Sequence, residues 1–597
     1  MLDNIMVEQA ITLDGLLRER VKRTPDAIAY RDFNQEHQNW RDYTWGHIDH
    51  QVARWQSALE NDGLKPGDRV AVMMRNSPEW VIFEQAALGL GLVVVPLYTQ
   101  DRPDNVAYII NDAGCKVLLF GALDQWNAFS DVRGQLAGLV RILVLGDSTG
   151  NTDEPRLKYS GQWLPNDGGA TRHVPRDALS LATIVYTSGT TGKPKGVMLS
   201  HLNILSNAAA CAHVVPLTAD DILLSFLPLS HMFERTCGYY LAMLSGSTTV
   251  YARSVQQLGE DLQTIRPTKL ISVPRIYERV FAAIKAKLDD GPPLRKKMFE
   301  LALNVGWARF EQQQGRGSWQ LSFLLWPVLK ALVADKIMAR LGGRLNVAIV
   351  GGAALSAEVS RVFIGLGLPV VQGYGLTETS PVACANTTND NLPASVGKPV
   401  AGVEVKIGDK GALMIRGPNI MLGYWNNPEA TAAMVGADGW LNSGDTARID
   451  EQGHVFITGR LKEIVVMSNG EKIPPVDIEA AIMRDSLFEQ VMLIGEGKPY
   501  LSVMTVLNQE QWKKLAAVQN KTPEQGSINA PEITKILLAR IAATMSAFPG
   551  YAQVRRVHAT LDPWTVENGM LTPTLKLKRP KVMEKFHAEL DGMYSGH

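Results

Sequence analysis

The chain is 597 residues long, with 46% hydrophobic and 20% charged residues, a composition typical of a globular protein with at least two domains. Sixty basic residues balance sixty acidic ones, so the overall charge gives no argument for an acidic partner, and we expect no nucleic-acid binding. The cysteines, Cys115, Cys211, Cys237 and Cys384, form no Cys-x-x-Cys pair, which disfavours a zinc site and fits a reducing cytoplasm.

Residues 1–13 contain no continuous apolar core, so we expect no secretory signal there, and no run of about 18 apolar residues could span a bilayer. We therefore expect a cytoplasmic protein. The stretch 319–340 mixes leucine, phenylalanine and tryptophan with lysine and arginine, which is compatible with a peripheral surface on the cytoplasmic face of a membrane. Core packing explains the same pattern equally well.

The first strong structural pattern lies at 68–98, where two apolar runs flank a turn and a helical stretch, and it predicts a βαβ unit. Further short β-branched runs follow, many of them separated by helical segments. They predict an α/β fold of doubly wound sheets, with ligand loops at strand ends. These runs lie at 116–120, 141–145, 221–226, 247–251, 270–273, 346–350 and 369–372.

After Val396, closely spaced strands and glycine turns up to residue 459 predict a small β-rich subdomain. It would complete an N-terminal domain of residues 1–460. From residue 461 to 597 strands alternate with helices, which predicts a smaller, mobile α+β lid domain. The candidate hinge is the sequence Gly-Arg-Leu-Lys at 459–462, with Lys462 as its pivot.

The most informative motif, Thr-Ser-Gly-Thr-Thr-Gly-Lys-Pro-Lys-Gly, follows a predicted strand at 182–186. Its glycines let consecutive main-chain N–H groups converge on anionic oxygens, while hydroxyls and lysines add donors and charge. A Walker A loop has four residues between its first glycine and Gly-Lys, and here two intervene. We predict a polyphosphate site whose candidate residues are Thr187, Ser188, Gly189, Thr190, Thr191, Gly192, Lys193 and Lys195.

This loop closely resembles the signature loop of the AMP-forming adenylate-forming enzymes, which include acyl-CoA synthetases, luciferases and peptide-synthetase adenylation domains. The resemblance extends from about Leu16 to about Lys585. Within the superfamily, residues 272–280 and a helical insertion at 293–341 resemble long-chain fatty acyl-CoA synthetases. The resemblance implies a ligase that uses ATP, Mg²⁺ and coenzyme A to convert a fatty acid, through an acyl-adenylate, into acyl-CoA, AMP and diphosphate.

Three alternatives stay open. A fatty acyl-AMP ligase that delivers to a carrier protein shares every nucleotide motif, and the natural substrate could be a medium-chain or another carboxylic acid. A nucleotide-binding regulatory protein that has lost catalysis is the alternative outside the enzymes. The sequence indicates neither the preferred chain length nor the oligomeric state.

The sequence Gly-Tyr-Gly-Leu-Thr-Glu at 373–378 is similar to the family's adenine and magnesium motif. Tyr374 offers a flat face for a purine, Thr377 a hydroxyl for phosphate, and Glu378 a hard carboxylate for Mg²⁺. Thr190 is the second candidate metal ligand. Upstream, the small residues Gly352, Ala353 and Ala354 would let the backbone read an adenine edge, although a plain βα turn has the same composition.

The sequence Gly-Trp-Leu-Asn-Ser-Gly-Asp at 439–445 matches a family pattern that binds ribose. Its Asp445 carries an acceptor-only carboxylate, which suits the two hydroxyls of a ribose diol. Arg460 stands where the family has an arginine that contacts the nucleotide. His231 and Phe233, in the segment 227–235, resemble a motif beside the carboxylate pocket, and we expect His231 to shape the pocket rather than to catalyse.

The resemblance assigns the adenylation lysine to the loop at 568–579. Lys576 aligns best, and Lys578 is the second candidate because this loop departs from the commoner Ser-Gly-Lys form. Lys576, Glu378 and Thr377 are thus the predicted catalytic residues. Gly470 would line the pantetheine tunnel once the C-terminal domain has rotated about Lys462.

Overall fold

The computed structural model describes residues 3–147, 154–187, 193–461, 465–468, 471–546, 548–573 and 575–595. In these ranges the strands, in chain order, are β1 (Ile28–Asn34), β2 (Asn39–Thr44), β3 (Arg69–Met73), β4 (Val93–Pro96), β5 (Cys115–Phe120), β6 (Arg141–Val144), β7 (Leu157–Tyr159), β8 (Leu181–Thr187), β9 (Lys195–Ser200), β10 (Ile222–Ser225), β11 (Thr248–Tyr251), β12 (Lys269–Ser272), β13 (Val347–Val350), β14 (Val370–Gly375), β15 (Val382–Ala385), β16 (Lys398–Pro399), β17 (Glu404–Ile407), β18 (Ala412–Arg416), β19 (Gly423–Tyr424), β20 (Leu441–Ile449), β21 (Val455–Arg460), β22 (Val465–Val466), β23 (Lys472–Ile473), β24 (Phe488–Ile494), β25 (Leu501–Leu507) and β26 (Val554–Thr560).

The α-helices of the same ranges are α1 (Val7–Ala10), α2 (Leu13–Arg23), α3 (Trp45–Asn61), α4 (Pro78–Gly89), α5 (Pro103–Ala113), α6 (Leu123–Asn127), α7 (Ser160–Trp163), α8 (His201–Val214), α9 (Leu241–Ser245), α10 (Leu258–Ile265), α11 (Pro274–Asp289), α12 (Pro293–Gln313), α13 (Trp326–Leu329), α14 (Asp335–Met338), α15 (Ala357–Gly365), α16 (Pro428–Met434), α17 (Pro475–Ile482), α18 (Gln509–Val518), α19 (Pro531–Thr544), α20 (Arg579–Lys585) and α21 (His587–Tyr594). None of them combines the length and the apolar character that a membrane span requires.

Two large sheets form the N-terminal part of the fold. A nine-stranded sheet has the order β16-β15-β14-β13-β12-β10-β11-β1-β2, and an eight-stranded sheet has the order β19-β9-β8-β4-β3-β5-β6-β7. One apolar cluster contains side chains from both sheets, such as Val94 and Val371, together with side chains of α2, α4 and α8. The two sheets therefore share a core.

The predicted βαβ unit at 68–98 is confirmed, because β3 and β4 pair in parallel on either side of α4. The side chain of Ser77 accepts the N–H of Trp80 and Pro78 occupies the first turn, so the start of the helix is well defined. All four residues of β4 are buried, as expected for a strand covered on both faces. The other predicted runs also form strands, namely β5, β6, β10, β11, β12, β13 and β14.

The β-rich region after Val396 is less uniform than its sequence suggests. Strands β17, β18, β20 and β21 form a separate antiparallel sheet, whereas β16 extends the nine-stranded sheet and β19 pairs with β9 of the eight-stranded sheet. Two short strands of this region thus tie the small sheet to both large ones. The sequence of such a short strand does not indicate which strand it pairs with.

The C-terminal part contains a three-stranded sheet of order β24-β25-β26, which packs against α17 and α19. It has an apolar core of its own, with Val503 and Leu537 fully buried, so an α+β unit is present as predicted. Lys462, the predicted pivot, lies outside the described residues. The division into 1–460 and 461–597 therefore stays a prediction.

Candidate functional site

A cavity of about 500 Å³ brings together residues from separate sequence motifs. It opens where β8, β13 and β14 end, at the carboxyl edges at which α/β folds bind ligands. Thr572 and Lys576, from a loop of the C-terminal part, also line it. Of the predicted site residues, those in its wall are Thr187, Lys195, His231, Phe233, Gly352, Tyr374, Thr377, Glu378, Arg460 and Lys576.

Glycines at the end of β13 allow close packing at the mouth of this cavity. A Cβ on Gly351 would come within 3.0 Å of the Phe233 ring, and Gly352 has a φ of +79°, which favours glycine. Ala353 and Ala354 follow in the same loop, but both are exposed and neither lines the cavity. Of these three residues, which were predicted to read an adenine edge, only Gly352 lines the cavity.

Tyr374, Asp445 and Arg460 form a hydrogen-bonded cluster. The Tyr374 hydroxyl donates to Oδ2 of Asp445 at 2.5 Å, and Nε of Arg460 donates to Oδ1 at 2.9 Å. Asp445 and Arg460 face each other across β20 and β21, and the carboxylate is buried. Burial, followed by the negative charge of Asp445, raises the pKa of the Tyr374 phenol, so this hydroxyl stays a donor.

The sequence pattern predicts a strand that ends at Gln372 and a loop that contains Tyr374. In the structure β14 continues to Gly375, and Tyr374 pairs with Cys384 of β15. The tyrosine therefore has a fixed backbone. The predicted ribose contact Asp445, the predicted nucleotide contact Arg460 and the predicted purine contact Tyr374 belong to one network, and sequence spacing gave no sign of this.

Glu378 has a partner that sequence reasoning missed. The hydroxyl of Tyr424 donates to Oε1 of Glu378 at 2.7 Å, and Nζ of Lys195 lies 5.1 Å from the centre of the Tyr424 ring. Burial and the Glu378 carboxylate raise the pKa of Tyr424. Tyr424 lies in β19, 46 residues from Glu378 along the chain. In the sequence it is an aromatic residue beside a turn, which does not indicate a contact with Glu378.

The donor set at Glu378 fits Mg²⁺. Within the described ranges no group of three His, Cys, Asp or Glu side chains forms a metal cluster. A nucleotide-bound Mg²⁺ needs no such cluster, because one or two carboxylates hold it together with phosphate oxygens and waters. Oxygen Oε2 of Glu378 remains for this role. Thr190, the second predicted ligand, lies outside the described residues.

His231 is held in its neutral form. Its Nδ1 accepts the backbone N–H of Phe233 at 3.2 Å, which leaves the proton on Nε2. Burial lowers the pKa of His231 to about 4, and the positive charge of Lys576 acts in the same direction. A neutral imidazole beside an ammonium can orient a carboxylate but is a weak base, and the shaping role of His231 stays a prediction.

The two candidate lysines point to different places. Lys576 lines the cavity with Thr572, whose Oγ1 accepts the Lys576 backbone N–H at 3.0 Å. Lys578 is half-buried and lies near Asp101 of the N-terminal part, where its charge offsets part of the rise in the pKa of Asp101 that burial causes. The geometry therefore favours Lys576 as the lysine that reaches a ligand.

The phosphate loop is described only at its ends. It joins β8 to β9, which are antiparallel, so it is a hairpin connection that the sequence analysis did not anticipate. Thr187 and Lys195 face the cavity, while Nζ of Lys193 lies 4.9 Å from the centre of the Tyr108 ring. The other predicted residues of this loop, and Gly470 of the predicted tunnel, lie outside the described residues; in the loop these are Ser188, Gly189, Thr190, Thr191 and Gly192.

The deeper part of the cavity is apolar. Its wall comes from α8 and the loop after it, from the helical segment 234–245, from β10, β12 and β13, and from β15 with the residue before it. Only His231 and Phe233 were predicted to belong to this pocket, because the other side chains are typical of an ordinary apolar core. They are Cys211, Val214, Val215, Leu217, Leu223, Cys237, Leu241, Ile271, Ile349, Pro381, Val382 and Ala385.

Comparison with known proteins identifies close matches along almost the whole chain. The family model described as AMP-binding enzyme matches residues 17–425, and that of the AMP-binding enzyme C-terminal domain matches residues 462–597. The long-chain-fatty-acid–CoA ligase FadD15 of Mycobacterium bovis is 30% identical over 592 residues, which cover 97% of this chain and 96% of that protein.

Two further matches differ in their chemistry. The long-chain-fatty-acid–[acyl-carrier-protein] ligase AEE15 of Arabidopsis thaliana is 29% identical, covering 92% of this chain and 82% of that protein. The crystal structure of the anthranilate CoA ligase AuaEII with anthranoyl-AMP has a TM-score of 0.74 and 19% identity, with 98% of each chain covered. At that identity the likeness establishes the fold alone.

Proposed function

The chain belongs to the AMP-binding enzyme family, and from this premise we propose that it is a long-chain fatty acid–CoA ligase. The reaction converts ATP, a fatty acid and coenzyme A into acyl-CoA, AMP and diphosphate. Two relatives named as fatty acid ligases, at 29% and 30% identity, support a fatty acid as the substrate. The medium-chain and other carboxylic acids are the alternatives within the same chemistry.

The observation that carries the proposal is the continuity of one cavity. Its apolar part, with Leu223 and Ile349 in the wall, opens directly on the polar part that holds Lys576, Glu378 and Arg460. A fatty acid has the same division, with an alkyl chain that gains free energy on burial and a carboxylate that needs cationic partners. A nucleotide site with a purely regulatory role would lack an apolar pocket that opens on its polar part.

In the first step a carboxylate oxygen attacks the α-phosphate of ATP, the bond to the β-phosphate oxygen breaks, and diphosphate leaves. Both reactants are anions, so the rate depends on charge compensation and in-line positioning. The ammonium of Lys576 contributes the charge, and neutral His231 orients the carboxylate through its Nε2 proton. Thr377 contributes a hydroxyl to the phosphates.

The rest of the nucleotide would contact the cluster already described. The Tyr374 ring offers a face to adenine, and Asp445 with Arg460 binds the ribose and phosphate oxygens. Glu378 would hold Mg²⁺, which when bound lowers the negative charge of the phosphates. Tyr424 and Lys195 keep Glu378 oriented, since one donates to it and the other packs on that donor's ring.

In the second step the thiol of coenzyme A loses its proton and attacks the carbonyl carbon of the acyl-adenylate; the bond from this carbon to the AMP phosphate oxygen breaks, AMP leaves with the bonding electron pair, and the thioester forms. The thiol needs the space that the loop of Lys576 occupies, so we infer that domain 461–597 rotates on domain 1–460 about Lys462. Gly470 would then line the path of the pantetheine arm.

The acceptor can be tested directly. Diphosphate release from ATP should require a fatty acid, and thioester should form with coenzyme A much faster than with a phosphopantetheinylated carrier protein. Faster transfer to the carrier protein would make the chain an acyl-AMP ligase for such a partner. Diphosphate release without dependence on any carboxylic acid would contradict the enzyme proposal itself.

We also propose a cytoplasmic location with peripheral membrane contact. The segment 319–340 exposes several large apolar side chains, with Lys330, Lys336 and Arg340 beside them, and this combination suits an anionic lipid surface. Trp326 is an exception, because it is half-buried and packs next to Gly306 and Gly367. The exposed side chains are Trp319, Leu321, Leu324, Leu325, Val328 and Leu332.

A further inference from the structure

The apolar pocket ends on a charged side chain. Lys269 is the first residue of β12, at the opposite end of the parallel strands from Gly351, and its side chain lines the same cavity while only 9% exposed. Its ammonium donates to Oδ1 of Asn346 at 2.6 Å and lies 3.7 Å from Oδ1 of Asp221. Nothing in the adenylation chemistry uses this lysine, so its presence in an apolar wall needs another explanation.

The strand register defines how deep the pocket is. Lys269 lies opposite Val347 at the start of β13, and the mouth lies at Gly351, four residues further along. At about 3.3 Å per residue this distance is about 13 Å. An extended alkyl chain advances about 1.3 Å per carbon, given C–C bonds of about 1.5 Å, so the pocket holds about ten carbons before it meets Lys269.

The lysine is held in place from outside the pocket. Asp221, its nearest carboxylate, also accepts the hydroxyl of Thr268 at 2.7 Å and the backbone N–H of Thr218 at 2.9 Å. This polar group sits at the amino ends of β10, β12 and β13, opposite the nucleotide side. The stem of Lys269 thus closes the pocket, and the ammonium lies close enough to solvent to turn outward when the stem is pushed aside.

We propose that Lys269 is a specificity-determining residue, a gate at the end of the acyl pocket that chains longer than about ten carbons must displace. The inference rests on the proposed fatty acid ligase function. Each methylene buried in the pocket improves binding about fourfold, but those beyond Lys269 must also break its contact with Asn346. The wild-type preference should therefore rise steeply up to decanoate or dodecanoate and flatten for longer acids.

The test compares fatty acids of increasing chain length, from octanoate to stearate. For each acid, the rate of fatty-acid-dependent diphosphate release is measured. Octanoate is too short to reach Lys269, so it serves as the internal control for folding and for the adenylation chemistry. In Lys269→Ala the ratio of kcat/KM for palmitate to that for octanoate should increase at least about tenfold over wild type. An unchanged ratio would overturn the proposal.

Two further variants keep the result interpretable. Lys269→Met retains the length of the stem but loses the hydrogen bond to Asn346, so it should shift the profile in the same direction by a smaller factor. If both variants keep the wild-type profile, the gate does not exist. Ile271→Phe fills the pocket above the gate and should favour shorter acids; an unaltered profile there would mean that the cavity is not the acyl pocket, which contradicts the proposed function separately from the gate.

Discussion

The phenol of Tyr374 donates a 2.5 Å hydrogen bond to the carboxylate of Asp445, so the side chain proposed to stack on adenine also orients the one proposed to bind ribose. Arg460 donates to the other carboxylate oxygen at 2.9 Å. Each oxygen thus has one protein donor and keeps a lone pair for a ribose hydroxyl. The side chains of the proposed nucleotide site are therefore oriented by hydrogen bonds to one another.

The hydrogen bond from Tyr374 to Asp445 predicts that Tyr374→Phe separates the role of the hydroxyl from that of the aromatic ring. The variant keeps the aromatic face but removes one donor to a buried carboxylate, and hydrogen bonds to charged groups contribute about 1.5–3 kcal/mol. Because ribose can replace part of this loss, we expect the KM for ATP to increase about three- to tenfold with little change in kcat. Tyr374→Ala, which also removes the face, should be clearly worse in ATP binding; equal effects of the two variants would argue against stacking.

Glu378→Gln should weaken the use of MgATP, since it replaces a negative oxygen ligand by a neutral one of the same size. Higher Mg²⁺ should restore part of the adenylation rate. Tyr424→Phe is the matched variant: it removes the donor to Glu378 but leaves the carboxylate, so it should cost less and respond less to Mg²⁺. If a magnesium titration at saturating ATP gives the same curve for Glu378→Gln and wild type, Glu378 is not close to the metal.

The pKa of His231, lowered to about 4 by burial, predicts how stability depends on pH. The unfolded chain binds a proton at this residue near pH 6.5, whereas the folded chain does not until about pH 4. Stability is therefore lost as the pH falls through this window, by no more than about 1.4 kcal/mol per pH unit for the one group.

The matched variant is His231→Asn, whose side-chain oxygen can accept the N–H of Phe233 without titrating. It should show a weaker fall in melting temperature between pH 6.5 and 4.5. Its adenylation rate should stay within about tenfold of wild type, because the histidine is proposed to orient and not to transfer protons. A rate loss above a thousandfold would instead make His231 a general base.

Much of the fold could be read from the sequence because its strands are buried on both faces. Runs such as 346–350 are continuous and β-branched, and β13 occupies almost the same residues. The predicted strand boundaries were wrong where pairing with another strand determines them. Strand β14 extends through Tyr374 because it pairs with β15, and β9 forms by pairing with β8. Neither pairing partner can be identified from the neighbouring residues in the sequence.

A site could be proposed from the sequence where a motif is contiguous, but not where distant segments meet. Glycine, hydroxyl and lysine residues in one loop predict phosphate binding from chemistry alone. Tyr424 and Lys269 have no such neighbours: the first acquires its role from Glu378, and the second from a pocket built by helix and strand side chains that read as core. Only the folded chain gives these residues their partners.

The exposed apolar side chains at 319–340 predict binding to vesicles. Leu321 and Leu324 are 76% and 70% exposed, so replacing both by serine should reduce flotation with anionic liposomes and leave adenylation of a soluble short acid unchanged. The control is a pair of serine substitutions at Ile407 and Leu422, which are exposed elsewhere in the sequence. Absence of flotation for the wild-type protein, or equal flotation of all three proteins, would rule out the membrane role.

Lys576 and Lys578 should differ in their importance for adenylation. Lys576 lines the cavity beside His231, whereas Lys578 lies near Asp101, so only the first can reach the carboxylate and the α-phosphate. Removing a charge that stabilises the transition state should reduce the rate more than about a hundredfold. Lys576→Ala should therefore nearly abolish diphosphate release from ATP and fatty acid, while Lys578→Ala should retain most of it.

The second half-reaction supplies the control within the same protein. If the lid rotates after adenylation, Lys576 is remote from the thiol, and Lys576→Ala should convert supplied acyl-adenylate and coenzyme A into thioester at close to the wild-type rate. An exchange of phenotypes between the two lysine variants would shift the functional alignment of the loop by two residues. Equal loss in both half-reactions for Lys576→Ala would contradict a lysine that acts in one lid position only.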